Sequence, residues 1–176
     1  MSAQPDLFAA PSVARSTPVL SPCGSYRYRL TRRVGDNQKT CVFVMLNPST
    51  ADAERNDPTI WRCIARARHE GCGELVVVNL FAARASDPIL LANHPDAVGR
   101  NNDQHIRAAA AEADVLIVAW GANVAVARRE AAVLAILRAA ARVPVQALGL
   151  TADGSPKHPL ARGRSRVPDD APLLDY

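Results

Sequence analysis

The chain has 176 residues, of which 48% are hydrophobic, 5% are aromatic and 22% are charged, and its formal net charge is +4. This length and apolar content suit one domain with a core large enough to fold alone. No apolar run reaches the length of a membrane-spanning helix, and the N-terminus lacks the charged start and apolar core of a signal peptide. We therefore expect a monomeric protein of a bacterial-type cytoplasm with no membrane partner.

The cysteines Cys23, Cys41, Cys63 and Cys72 are widely separated and form no CxxC pair. Ligand clusters for zinc or iron–sulfur centres normally have compact spacing. Free thiols inside regular elements, by contrast, are commonly buried. The sequence thus predicts no metal site and no cofactor, and its modest positive charge permits a polyanionic partner without requiring one.

The chain begins with a segment, residues 1–22, that is rich in Ser, Pro and Ala and has no hydrophobic periodicity. This composition predicts a flexible leader, followed by a single α/β catalytic domain over residues 23–176. Residues 26–34 alternate aromatic or aliphatic side chains with arginines, which is typical of a half-exposed strand. The Gly-Asp-Asn sequence at 35–37 then supplies a turn into the next strand, so we expect an N-terminal antiparallel β-hairpin.

A near-continuous apolar run at residues 42–46 predicts a strand that is buried on both faces of a sheet. The strand ends abruptly at Asn47, Pro48, Ser49 and Thr50. In open α/β sheets the ligand lies outside the carboxyl ends of the strands, so this polar loop is a candidate site. The alternative is a plain Asn-Pro turn in which Ser49 or Thr50 caps a nearby helix.

The following elements alternate between helices and strands along the rest of the chain. They are a helix from 57 to about 70, a strand at 75–78, a short helix after 86–88, a helix at 101–113, a strand at 115–120, a helix from 123 to about 141 and a strand at 143–148. Such alternation produces parallel strands with right-handed crossovers. We therefore predict a three-layer α/β/α sandwich around a central, mainly parallel four-stranded sheet, in addition to the hairpin.

Polar or unusual residues follow each of these four strands. After the loop at Asn47 come Asn79, then Trp120 with Gly121, and finally the loop 151–162. Because parallel strands place their carboxyl ends along one edge, we expect these groups to converge in one cleft that reads a small polar molecule. The amide of Asn79 offers both a donor and an acceptor, which matches the edge of a pyrimidine or purine. It could equally satisfy backbone groups at the strand terminus.

The last loop contains a constrained histidine and a cluster of basic residues. His158 lies between Pro156 and Pro159, which restrict its backbone, and a rigid imidazole can stabilise a developing anion. The basic residues around Leu160 are Lys157, Arg162, Arg164 and Arg166. Cationic side chains beside an apolar wedge are a means of holding and distorting a DNA duplex. The alternative is a solvated basic tail.

Taken in order, these motifs resemble those of the uracil-DNA glycosylase superfamily. Residues 45–49, Met-Leu-Asn-Pro-Ser, resemble its first motif, and the strand 76–79 resembles the one that ends in the uracil-recognising Asn. The loop 158–160, His-Pro-Leu, is similar to the His-Pro-Ser loop, and 115–122 is similar to the strand and Gly-x-x-Ala turn before a long helix. The similarity covers residues 40–162. The chain also resembles a bacterial domain family, without assigned function, whose members share the NPSTAD and VNLFA runs.

The resemblance implies a divergent, monofunctional uracil-DNA glycosylase that flips uracil out of single- or double-stranded DNA and initiates base excision repair. It implies that His158 stabilises the anion at uracil O2 and that Asn79 recognises the base. Asn47, with the Pro48 carbonyl, would position the water that attacks the sugar. Asp52 is the rival water activator, because a carboxylate can accept a proton.

The chain departs from the superfamily pattern within the same loops. Met45 and Ser49 stand in place of glycines, and no phenylalanine follows the first motif, so Trp61 and Phe81 are the candidates to stack on the base. The expected substrate-binding residues are Pro48, Ser49, Asn79, Phe81 and Trp61. The expected DNA-binding residues are Lys157, Leu160, Arg162 and Arg164.

Two other classes of function remain open from the sequence. A nucleotide-binding or nucleotide-hydrolysing α/β enzyme could use the same edge of the sheet, although neither GxGxxG nor GxxxxGK[ST] occurs. A non-catalytic module that senses DNA bases is the other alternative, since the departures from the motifs could have removed the chemistry. An oligonucleotide containing uracil distinguishes the three classes.

Overall fold

The computed structural model describes residues 14–15, 18–48, 56–85, 91, 94–123, 129–163, 166–168 and 170–176. Within these ranges the strands are β1 (Ala14–Arg15), β2 (Val19–Leu20), β3 (Arg27–Arg33), β4 (Thr40–Met45), β5 (Glu74–Asn79), β6 (Val115–Val118), β7 (Val145–Ala147) and β8 (Leu174–Asp175). The helices are α1 (Pro58–His69), α2 (Asn102–Glu112) and α3 (Glu130–Ala140).

Seven strands follow one another across one open sheet, in the order β1-β3-β5-β4-β6-β7-β8, and β2 pairs only with β3. The four central strands β5, β4, β6 and β7 run parallel to one another. β3 and β8 are antiparallel additions at either side. The α/β class is confirmed, and the sheet as a whole is mixed and larger than the predicted four strands.

The N-terminal hairpin differs from the prediction. β3 does not pair with β4, the next strand along the chain, but with β5, where Leu30 lies opposite Val77. Both edges of β4 are occupied by the parallel strands β5 and β6, so no edge is left for β3. Of the predicted leader, residues 14–15 and 18–22 are described, and β2 within it forms a short antiparallel pair with β3.

Helices cover both faces of the sheet because the side chains of its buried strands alternate between the faces. On one face, Val42 and Val44 of β4 belong to a core that includes Ile106 of α2 and Leu137 of α3. On the other face, Phe43 belongs to a second core that includes α1. The buried residues of α1 in this second core are Ile60, Cys63, Ile64 and Ala67. All six residues of β4 are buried, as the apolar run predicted.

A buried asparagine connects α2 to the end of β5. Asn102 is 0% exposed, and its Nδ2 donates to the carbonyl oxygens of Asn79 and Leu80 at 3.0 Å each. The Leu80 carbonyl also accepts from Nε of Arg129 at 3.1 Å. These bonds satisfy backbone oxygens at the point where β5 leaves the ladder, so they help to fix the position of Asn79.

Replacing Asn102 with alanine should lower the free energy of unfolding by about 2 kcal/mol, because two buried hydrogen bonds are lost. Urea denaturation measures this change. Asn101→Ala is the matched control, since Asn101 is exposed and makes no side-chain capping bond. Equal stability losses in the two variants would contradict the role given to Asn102.

Candidate functional site

A cavity of about 220 Å³ lies at the carboxyl edge of the parallel strands. Its walls include Met45 and Leu46 at the end of β4 and Ile60 in the first turn of α1. The polar or hydrogen-bonding residues that line it are Arg27, Asn47, Asp57, Thr59, Trp120 and His158. Asn47 and His158, which the sequence placed after different strands, therefore face one cavity.

The amide of Asn47 is oriented by the backbone around it. Its Nδ2 donates to the carbonyl oxygen of Ala85 at 2.8 Å and to that of Pro48 at 3.1 Å. Both amide protons are thereby used inside the protein, which leaves Oδ1 as the acceptor that Asn47 offers to the cavity. The Pro48 carbonyl accepts a further bond from the Ala85 N–H at 3.4 Å, so it is already engaged.

His158 is held by backbone hydrogen bonds from several loops. The carbonyl of Pro156 accepts from the N–H of Gly121 at 2.8 Å, and the N–H of Lys157 donates to Gly149 at 2.8 Å. Gly121 has a φ of +74°, a conformation that favours glycine. The loop after β7 is therefore tied to the end of β6, and the rigid placement expected from the flanking prolines has a backbone origin as well.

The protonation state of His158 follows from its contacts. Its Nδ1 accepts a hydrogen bond from the N–H of Leu160 at 3.1 Å, which requires that Nδ1 carries no proton. Burial lowers the pKa of His158 below its ordinary value, and the Asp57 carboxylate partly offsets that shift. At neutral pH the imidazole is thus neutral, with its proton on Nε2, and Nε2–H is a hydrogen-bond donor.

Asp57 supplies the carboxylate of the cavity. It is the N-cap of α1, and its Oδ1 accepts from the N–H of Ile60 at 2.8 Å. A helix that starts at residue 57 was predicted, but the position of Asp57 in the same cavity as His158 was not. The other candidate carboxylate, Asp52, lies outside the described residues.

Replacing Asp57 with asparagine should lower the pKa of His158 further, because the negative charge that favours the imidazolium is removed. Asparagine is as good an N-cap as aspartate, so α1 should stay intact. NMR titration of the His158 ring in wild type and variant measures the shift. Asp153→Asn, in the exposed hairpin before His158, is the control. An unchanged or raised His158 pKa in the Asp57 variant would contradict the pairing.

Two cavity residues were missed as site residues by the sequence analysis. Arg27 is only 6% exposed, and burial lowers its pKa to about 10, with the Asp57 carboxylate acting in the opposite direction. Trp120 is 2% exposed, and its Nε1 has no acceptor among the described residues. Both residues line the cavity and carry a buried donor atom that has no acceptor among the described residues. Trp120 lies at the end of a predicted parallel strand, where ligands bind in open α/β sheets, so its position was a signal that could have identified it. Arg27 lies in the predicted half-exposed strand and had no comparable signal.

Asn79 lies beside the cavity rather than in its lining. It is 1% exposed, and neither of its amide atoms has a partner in the described part of the chain. Asn79 and Met45 are register partners on adjacent parallel strands, so their side chains share a face of the sheet. Met45 lines the cavity, and Asn79 lies on the neighbouring strand. The amide of Asn79 is therefore one inter-strand distance away from the part of the cavity wall that Met45 forms.

Neither aromatic candidate for base stacking lines the cavity. Trp61 is 51% exposed on the outer side of α1, and Phe81 packs in the core on the opposite face of the sheet. The reason in α1 is geometric, because one residue corresponds to a rotation of about 100°. The buried stripe that contains Ile60 and Ile64 therefore turns Trp61 away. The aromatic side chain that does line the cavity is Trp120.

The predicted DNA-binding loop forms one side of an open groove of about 430 Å³ beside the start of α1. Leu160 and Arg162 line this groove together with Arg62 and Arg166. Lys157 is not part of the lining, and its side chain lies against Gly149. Arg164 and the substrate-binding candidate Ser49 lie outside the described residues. The groove and the cavity meet at His158 and Pro159, which are adjacent in the chain.

The cysteines are free throughout the described residues. Cys41, Cys63 and Cys72 are buried and Cys23 is exposed. No group of three or more His, Cys, Asp or Glu side chains in the described ranges is arranged to hold a metal ion. None of the helices in the same ranges has both the length and the apolar character needed to cross a membrane.

The fold and the site define an α/β protein with a polar cavity at the carboxyl edge of its parallel strands. The chain belongs to the family described as "Protein of unknown function (DUF1643)", whose model matches residues 27–160. The matched span begins at Arg27 and includes His158, so it contains every polar residue of the cavity. No match was found among curated proteins or among solved structures.

Proposed function

We propose that this protein is a monofunctional DNA glycosylase that flips uracil out of DNA and excises it by hydrolysis, so that base excision repair can begin. The observation that carries the proposal is the meeting of an acceptor, Asn47 Oδ1, and a neutral donor, His158 Nε2–H, in one cavity. The finer fold proposal is a uracil-DNA glycosylase-like, three-layer arrangement around the four parallel strands. We place its action in a bacterial-type cytoplasm, as a monomer.

The size of the cavity favours a small ring as ligand. Its volume of about 220 Å³ lies below the roughly 300–1,000 Å³ that is usual for sites of drug-sized molecules. A single pyrimidine is therefore a better match than a whole nucleotide. The remainder of a nucleotide would extend outwards, toward the groove that contains Leu160 and Arg162.

His158 would act on the departing base. Cleavage of the N-glycosidic bond places positive charge on the sugar and negative charge on the base. A neutral imidazole at the wall of the cavity can donate its Nε2–H to that developing anion at uracil O2. Because its loop is held by backbone bonds before substrate arrives, little reorganisation is needed at the moment of reaction.

Asn47 would orient the attacking water through Oδ1. An amide is a poor base, but a dissociative transition state depends more on the orientation of the water than on its deprotonation. The Pro48 carbonyl already accepts two bonds within the chain, so its help to the water is not part of this proposal. Asp57 is the described carboxylate that shares the cavity and is the candidate to accept the proton. Asp52 remains predicted as an alternative residue to activate the water.

The groove beside the cavity would hold the DNA. Arg62, Arg162 and Arg166 surround it, and Leu160 is the apolar side chain at its edge. Guanidinium groups bind backbone phosphates, and an apolar side chain can fill the space left by the extruded base. Both single- and double-stranded DNA have backbone phosphates that these arginines could bind, so both remain candidate substrates. Lys157 and Arg164 remain predicted to contact the DNA backbone as well.

The experiment uses an oligonucleotide with one uracil, alongside a matched oligonucleotide with thymine in its place. After incubation and treatment with alkali, a glycosylase yields strand cleavage only at uracil. A base-sensing module shifts the DNA in a gel without forming abasic sites, and a nucleotide enzyme leaves the DNA unbound. Either of these two results would overturn the proposal.

A further inference from the structure

The guanidinium of Arg27 is buried, and no salt bridge joins it to a carboxylate of the described residues. Arg27 is 6% exposed and lines the cavity. Among the described residues none hydrogen-bonds to its Nε, and none forms an ion pair with it. A charge removed from water is costly unless it is paired and hydrogen-bonded. Its burial at the wall of a cavity therefore leaves room for a counter-charge from outside the described residues.

The surroundings make the electrostatic imbalance larger. Two further guanidinium groups, those of Arg32 and Arg84, act on Arg27, and one carboxylate, that of Asp57, opposes them. Asp57 also caps α1 through Oδ1, so part of its acceptor capacity is committed. Three guanidinium groups, counting that of Arg27, thus act on one another and on one described carboxylate, and such a surplus of positive charge favours a further negatively charged group.

Two other residues that line the cavity carry hydrogen-bond donors. Trp120 Nε1 is a buried donor that has no acceptor in the described residues, and Trp120 lines the cavity. His158 contributes Nε2–H, because its Nδ1 is occupied by the Leu160 N–H. The cavity also contains the acceptors Asn47 Oδ1 and Asp57, but its guanidinium, indole N–H and imidazole N–H are donors only, and these three complement a group whose oxygens only accept.

We infer that the cavity contains an oxyanion subsite at Arg27 and that it holds a phosphate or a carboxylate group of its ligand. A neutral pyrimidine alone would add no negative charge beside the guanidinium, which would keep Asp57 as the described carboxylate that acts on it. This inference goes beyond uracil excision, because it concerns which ligand the cavity binds. It would remain true even if the protein released no base. The two possible sources of the oxyanion are a nucleotide phosphate and a pyrimidine that carries a carboxylate.

Binding to the wild-type protein tests the subsite directly. Four compounds are titrated: inorganic phosphate, deoxyuridine monophosphate, uracil with a 6-carboxylate, and uracil itself. We expect at least one of the anions to bind about tenfold or more tightly than uracil and to shift the Nε–H resonance of Arg27 in ¹⁵N–¹H spectra. Tight binding of the first two assigns the site to phosphate, and tight binding of the third assigns it to carboxylate. No preference for any anion over uracil would overturn the inference.

Substitutions show whether Arg27 is responsible. Arg27→Met should abolish the preference for anions, and Arg27→Lys should retain part of it. Arg33→Met is the matched control on the same strand, since the Arg33 side chain donates to the backbone of Asp36 at the surface. Anion binding by Arg27→Met equal to that of wild type would overturn the inference. If Arg27→Met does not fold, two measurements remain that test the inference: the shift of the Arg27 Nε–H resonance in the wild-type protein, and the anion preference of Arg27→Lys. Anion binding without excision would count against the glycosylase alone, and excision without anion binding against the subsite alone.

Discussion

Replacing His158 with alanine is expected to lower the single-turnover rate of uracil excision by about a hundredfold or more. His158 lines the cavity and its loop is held by backbone bonds at Pro156 and Lys157, so its Nε2–H is a preorganised donor. Loss of one such donor costs about 2.7–4 kcal/mol of transition-state stabilisation in comparable sites. Duplex affinity should change little, because the arginines that surround the groove remain.

Single-turnover kinetics are the appropriate measurement, because they separate the chemical step from product release. His69→Ala is the matched control, since His69 is exposed in the last turn of α1 and far from the cavity lining. The control should match wild type in both rate and affinity. A His158 variant that loses DNA affinity but excises at the normal rate would show that the imidazole does not act on the base.

Replacing Asn79 with leucine should raise the free energy of unfolding by about 1–3 kcal/mol and abolish the discrimination of uracil from thymine or cytosine. Asn79 is 1% exposed and both of its amide atoms lack partners in the described residues, so the folded protein bears the desolvation cost of that amide. A leucine of similar shape removes the cost. The same change removes the amide donor and acceptor, beside the cavity, to which the resemblance to uracil-DNA glycosylases assigns recognition of the base.

Urea unfolding and excision assays on the one variant test both halves of this expectation. Asn101→Leu is the control, because Asn101 is exposed at the start of α2 and should gain no stability. A less stable Asn79→Leu protein would mean that the amide is satisfied in the native state. A more stable protein that still discriminates uracil would mean that Asn79 has no part in recognition.

The central part of the fold could be predicted because its signals are local. The apolar run that forms β4 and the similar runs that form β5 and β6 are buried on both faces, and only strands inside a covered sheet have that composition. The polar ends of those strands then predicted a shared edge. Asn47 and His158 were placed in the site for this reason, and the structure brings them to one cavity.

The position of β3 could not be predicted from local pattern. A short turn between two strands predicts a hairpin. β3, however, does not pair with β4, the next strand in the chain, but with β5, which lies between them in the sheet. What decides the pairing is competition for the edges of β4 by strands that lie far along the chain. Arg27 was missed for a related reason. An arginine in an alternating strand is normally exposed, and its burial depends on neighbours that the pattern does not contain.

The stacking candidates show a second limit. Trp61 was chosen because it is aromatic and near the first motif, but the buried stripe of α1 turns it outwards. Phe81 follows Asn79 closely, yet it packs on the other face of the sheet. Chemical suitability and proximity in sequence therefore do not determine which aromatic residue reaches a cavity. The direction of each side chain from its element does.

The most direct test of the account is a structure of the protein bound to DNA that carries a non-cleavable deoxyuridine analogue. If the account is right, the uracil ring occupies the cavity, with O2 within about 2.7–3.2 Å of His158 Nε2, and Asn47 Oδ1 lies on the side of the sugar. A bound duplex whose uracil remains stacked, or lies anywhere outside this cavity, would contradict it.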